Sequence, residues 1–144
     1  MLACGWPVRA EDALIEASGE GDATRVRALV KGGADVNVRT EAGETPLHVA
    51  GIRCTSGVIE ALLAAGAKVN VHTEAGEAMS MTPLHWYVNM NDCDENHIRM
   101  LLDARADVTA RNSEGQTPFD MVSKIEHRSH IADLVRPTPR EGEL

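Results

Sequence analysis

Apolar residues in this chain come in short clusters at helical spacing, each followed by turn residues. Leu14 and Ala17 make one edge, and Val26, Leu29 and Val30 stand at i, i+3 and i+4. Leu47 and Ala50, then Val58, Ile59, Leu62 and Leu63, form the next two clusters. Leu84 and Leu101 mark a third pair, and Phe119, Val122, Ile131, Leu134 and Val135 the last. Polar caps precede these clusters: Asp12 and Asp22 early on, then Thr45 and Thr117, with Pro46 at a first helical position where its missing N–H costs nothing. Gly19-Glu20-Gly21, Gly33 and Gly66 stop individual helices, while Gly43 and Gly115 sit in turns that precede them. The pattern predicts eight short helices in four pairs, stacked in one row.

The pairs share vocabulary. Thr45-Pro46-Leu47-His48 returns unchanged as Thr82-Pro83-Leu84-His85 and with two changes as Thr117-Pro118-Phe119-Asp120. Ala34-Asp35-Val36-Asn37 is echoed by Ala67-Lys68-Val69-Asn70 and Ala106-Asp107-Val108-Thr109. Glu41-Ala42-Gly43-Glu44 returns as Glu74-Ala75-Gly76-Glu77, an offset of 33 residues from 41 to 74. Words and period together resemble the ankyrin repeat, which couples a turn, a T-P-L-H helix start and an L-L…G-A-D-V-N finish. The resemblance implies an all-α solenoid of four helix-turn-helix repeats joined by short β-hairpin loops. Repeats are placed at about 10–39, 40–73, 74–111 and 112–136, between an N-terminal tail at 1–9 and a C-terminal tail at 137–144. The first repeat lacks Thr-Pro and carries Glu11, Glu16 and Glu20; the last has Lys124, Glu126, His127, Arg128 and Asp133 on its surface, as terminal caps require.

Repeat three departs from the pattern. Its Thr-Pro comes 37 residues after the previous one (45 to 82), because Ala78-Met79-Ser80-Met81 is inserted. Leu47 to Leu62 spans 15 positions whereas Leu84 to Leu101 spans 17, so Asn91 to Glu95 holds two extra residues. Arg105 falls where Gly33 and Gly66 stood and is expected in a left-handed conformation, at a cost on the order of 1 kcal/mol. Tyr87 replaces the small Ala17 and Ala50.

Composition narrows the function. A hydrophobic fraction of 43% fits a folded domain, and 3% aromatics suits helices packed through Ala and Leu. Net charge is −8, from 22 acidic and 14 basic residues, which disfavours nucleic acid as a partner. No signal peptide and no apolar run of membrane-spanning length is visible, so no membrane partner is expected, and the location expected is intracellular, cytoplasmic or nuclear. Cys4, Cys54 and Cys93 form an odd set without metal-type spacing, which predicts free thiols in a reducing compartment, with a redox pair as the alternative because Cys54 and Cys93 fall in equivalent inter-helix turns of adjacent repeats. Trp6 is placed to fold back on the first helix.

No catalytic, cofactor-binding or metal site is expected. His48 and His85 stand at N3 of their helices, where the resemblance implies a bond to the capping Thr; no Cys/His cluster has ligand spacing. Function is therefore assigned to surface: a non-enzymatic protein–protein interaction module, adaptor or scaffold, binding through the concave face and monomeric by itself. The alternatives are a small inhibitory or regulatory subunit of an enzyme such as a protein kinase, or the ankyrin segment of a larger multidomain protein. The family's variable positions fall here on Arg39, Glu41 and Glu44 with Ile52 and Arg53; on His72, Glu74 and Glu77 with Asn89 and Met90; and on Arg111 and Glu114. Met79 and Met81 of the insert, beside Trp86, add soft anchors of the kind interfaces favour. The resemblance also implies asparaginyl hydroxylation at Asn37 and, less well matched, Asn70.

Overall fold

The computed structural model describes residues 9–137; Cys4, Trp6 and Pro139 lie outside them. Eight α-helices follow in order: α1 (Ala10–Glu20), α2 (Ala23–Lys31), α3 (Pro46–Val49), α4 (Ser56–Ala64), α5 (Pro83–Asn89), α6 (Glu95–Asp103), α7 (Pro118–Val122) and α8 (Ser129–Val135). Short 3-10 turns extend α3 at Ala50–Ile52 and precede α8 at Glu126–Arg128, and a third, Gly76–Ala78, opens the insert. First helices of successive repeats touch in the order α1, α3, α5, α7, and second helices in the order α2, α4, α6, α8. The result is the two-row stack the repeats predict.

Local chemistry sets the helix ends. Thr45, Thr82 and Thr117 each accept a hydrogen bond from the backbone N–H three residues on, and each is answered by the N3 side chain in a capping box. Gly21, Gly33 and Gly66 leave their helices at φ +77°, +97° and +93°, which a side chain would resist. Arg105 takes the same left-handed place at φ +70°, as its alignment with Gly33 and Gly66 predicts.

Packing between rows completes the fold. Leu14, Leu47 and Leu84 in the first row, and Val26, Ile59, Leu62, Ile98 and Leu101 in the second, are all essentially sealed from solvent. Each such Leu or Ile contributes about 1.5–3 kcal/mol by leaving water. Leu29, Leu63 and Leu134 pack against this core but stay partly exposed.

Three expectations need correction. Asp12 does not cap α1: the helix begins two residues earlier, the capping position is Arg9, and Asp12 instead pairs with that arginine at 3.2 Å. The short loops between repeats keep the hairpin-type bonds the repeats predict, such as Thr40 N–H to Glu44 O at 2.9 Å, with no strand among the described residues. Arg128 is not surface. It is 4% exposed, and its guanidinium donates to the carbonyls of Val88 (2.9 Å), Tyr87 (3.4 Å) and Cys93 (2.9 Å), closing the C-terminal end of α5 and the long turn after it. Burial lowers its pKa from the ordinary 12.5. Finally, Cys54 and Cys93 are not two free thiols: they are joined as a disulfide across the inter-helix turns of repeats two and three.

Candidate protein-binding face

The first helices of repeats two and three are each tied to the following repeat by a histidine. His48 Nδ1 accepts from Thr45 N–H at 3.1 Å, which leaves the ring proton on Nε2 to donate to Met81 O at 2.9 Å. His85 repeats this, with Thr82 N–H at 3.2 Å and Gln116 O at 2.9 Å. Burial drives the His48 pKa down to about 4 and lowers that of His85, so both work as neutral imidazoles. A third histidine box, which the repeat words do not announce, caps α6: Asp94 accepts from His97 N–H, and His97 Nε2 lies 3.2 Å from Ser56 Oγ in the previous repeat.

The asparagines perform the same task between loops. Asn37 accepts from Lys68 N–H at 2.8 Å and donates to Gly66 O at 3.3 Å; Asn70 accepts from Asp107 N–H at 2.8 Å and donates to Arg105 O at 3.2 Å. Both amides are thus spoken for at both ends. At the end of repeat three Thr109 turns back on Asp107, and in the last repeat Asp120 binds its own cap at Thr117, so neither reaches forward.

The loop tips carry most of the candidate contact residues. Arg39 is committed: it donates to Gly43 O at 3.3 Å and His72 O at 2.6 Å, and pairs with Glu74 at 3.5 Å. Arg111 likewise donates to Gly115 O at 2.7 Å, and His72 Nδ1 donates to Ser80 O at 2.9 Å. Glu44 is half-buried and accepts from Thr40 Oγ1, whereas Glu41, Glu77 and Glu114 stand exposed. Of these loop-tip residues, the three acids have the least fixed side chains.

Behind the tips the surface turns apolar. Ile52 is 45% exposed, the one large aliphatic so open among the described residues, and Arg53 follows it. The insert is a closed loop rather than a loose one. Thr73 Oγ1 donates to Ala78 O and accepts from Met81 N–H, both at 2.8 Å, and Met79 O accepts from Ser113 N–H of the next repeat at 2.8 Å. Met79 and Ser80 adopt left-handed backbones at φ +60° and +51° to make it. Met79 and Met81 are both half-buried.

Met81, His85, Trp86, Asn89 and Met90 line one open cavity of about 150 Å³. Trp86 is half-buried, its ring edge-on to His48 at 5.6 Å, and its indole N–H has no acceptor. Both length changes of repeat three converge here, the insert delivering Met81 and the lengthened turn beginning beside Met90. Tyr87, next to Trp86, faces the other way and is wholly buried, its hydroxyl donating to Leu47 O at 2.8 Å.

Residues 42–74 and 80–113 match the family model of the ankyrin repeat, which covers repeats two and three as built above. The chain belongs to the ankyrin repeat family. Ankyrin repeats are generally non-enzymatic protein–protein interaction modules. A search of curated proteins returned no match. No helix among the described residues is long and apolar enough to cross a membrane, and no group of three His, Cys, Asp or Glu side chains is gathered as metal ligands would be.

Proposed function

We propose that this chain binds another protein through the face made by its loop tips and first helices, with the cavity of Met81, His85, Trp86, Asn89 and Met90 as the anchoring point. The observation that carries this reading is convergence: the insert of repeat three delivers Met81 to the cavity, and the lengthened turn starts directly after Met90 on its other side. A cavity of about 150 Å³ accommodates a guest the size of a benzene ring. Ile52 and Arg53 extend the same strip toward repeat two, and Glu41, Glu77 and Glu114 supply a polar rim. An adaptor or scaffold role follows, since none of these groups is arranged to transform what it holds. Asn37 and Asn70, proposed as hydroxylation positions, would have to release the next repeat's backbone first.

The test is a capture experiment with paired variants. Met81→Ala with Met90→Ala should weaken a recovered partner tenfold or more while leaving the far-UV circular dichroism unchanged. Lys31→Glu with Glu60→Lys, on the second-helix surface, should leave it unaffected. The reverse pattern would place binding on the opposite face and defeat the proposal.

A further inference from the structure

Cys54 and Cys93 occupy equivalent turns of neighbouring repeats, with Cα atoms 5.2 Å apart, within the distance a disulfide spans. Their surroundings differ. Cys54 is flanked by the exposed Arg53, is 4% exposed, and holds φ +47° where repeat one has Gly21 at +77°. Cys93 is 1% exposed, lies between the exposed Asp92 and Asp94, and has its carbonyl gripped by Arg128 at 2.9 Å. Its Sγ lies 3.3 Å from Gly51 O.

We propose that Cys54–Cys93 is a reversible thiol–disulfide site, opened by a small thiol attacking Cys54, which sets how firmly repeat two is held to repeat three. A thiolate RS⁻ arriving from solvent meets the exposed Arg53 beside Cys54 but the exposed Asp92 and Asp94 beside Cys93, where the nearby cation, Arg128, is buried against backbone carbonyls. The left-handed turn at Cys54 also opens at less cost than a relaxed one. A bond forms between RS and Cys54 Sγ; the Cys54–Cys93 bond breaks, and its electron pair leaves on Cys93 Sγ. That sulfur takes up a proton, and the new thiol finds Gly51 O already in place as acceptor. A second thiolate attacks the RS sulfur of the mixed disulfide, releasing Cys54 as a thiol and RS–SR. Two RSH are oxidised and one protein disulfide is reduced by two electrons.

The residues just before each cysteine are Ile52 and Arg53 on one side and Asn89 to Asp92 on the other. Ile52 and Arg53, and Asn89 and Met90 of the cavity, belong to the proposed contact strip, so the bond fixes their spacing. That last consequence rests on the binding reading; the redox chemistry does not.

The experiment equilibrates the 144-residue chain carrying Cys4→Ser in a series of reduced and oxidised glutathione mixtures. Acid quench, alkylation and peptide mass spectrometry then count thiols, and hydrogen exchange and melting report the consequence. The expected result is a two-electron transition passing through a glutathione adduct on Cys54. In the reduced form, amides of residues 51–56 and 90–95 should exchange at least tenfold faster, and the melting temperature should fall by about 10 °C. Cys54→Ser with Cys93→Ser should show the reduced values in every mixture. Thiols alkylated throughout in oxidised glutathione, a bond that survives excess reduced glutathione, an adduct on Cys93, or identical exchange in both forms would each overturn the proposal. None of these outcomes involves a partner, so the binding reading would stand or fall separately.

Discussion

The ring of Tyr87 lies directly over Gly51. A Cβ at that glycine would come within 2.7 Å of Tyr87 Cδ1 and 2.8 Å of Cε1, and the Tyr87 hydroxyl reaches past it to Leu47 O at 2.8 Å. The bulk that repeat three places where its predecessors have alanine is accommodated by the loss of a side chain one repeat away. Gly51→Ala should cost about 1–3 kcal/mol by overpacking, and Tyr87→Ala about 3–5 kcal/mol through the void it leaves. Because each change relieves the other, the double variant should be less destabilised than the sum by at least about 1 kcal/mol. Urea denaturation of the four proteins measures this coupling; simple additivity would mean the ring and the glycine are independent.

Arg128 has three backbone carbonyls and no carboxylate as partners. Arg128→Ala should lower stability by about 2–4 kcal/mol, since buried acceptors at the end of α5 lose their donors. Arg128→Lys should recover less than half, because an ammonium cannot span the fork. A lysine variant as stable as the parent would show that charge alone, not geometry, is what the site requires.

Arg105 provides the opposite sign. At φ +70°, aligned with Gly33 and Gly66, it carries a side chain in a conformation glycine adopts freely. Arg105→Gly should stabilise by about 0.5–1 kcal/mol in chemical denaturation, as Asn70 still donates to the carbonyl at that position. Destabilisation would mean the arginine side chain makes a contact worth more than the strain.

Acid should loosen the array through its histidines. His48, with its pKa lowered to about 4 by burial, binds a proton less readily folded than unfolded, where the value is 6.5. Its contribution is complete above pH 6.5 and is lost as pH falls from there toward 4, amounting to about 3 kcal/mol. His85 shifts in the same direction and adds to the loss. Denaturation midpoints at pH 7.5 and 4.5 should show this fall, and His48→Gln should be weaker at pH 7.5 but shallower in its pH dependence. An unchanged slope in that variant would shift the acid sensitivity to other groups.

What the sequence makes legible, and what it hides, divides along a physical line. Caps, turn glycines and the left-handed Arg105 are local: Thr45 and His48, or Thr82 and His85, bond within one turn, so the repeated word announces them. Their partners in the next repeat follow because identical words stack in register. Arg128, Cys54–Cys93 and Tyr87–Gly51 instead join residues about one repeat apart where the words have diverged, and only the stacked geometry brings them together. Arg128 reads as one more polar residue in a terminal cap. The odd cysteine set reads as free thiols even though Cys54 and Cys93 fall in equivalent turns, because the stacking distance that decides whether those turns meet is not written in the sequence. The cavity is legible in part, since the insert and the soft residues Met81, Trp86 and Met90 stand out, but the closing of the insert loop by Thr73 and His72 is not.

Amide hydrogen exchange of the chain with and without its captured partner decides most directly where binding occurs. Protection should concentrate in residues 79–91 and 51–54, around the cavity and the Ile52 strip, while α2 and α4 exchange as before. Protection confined to α2 and α4, with the 79–91 segment unaffected, would contradict it.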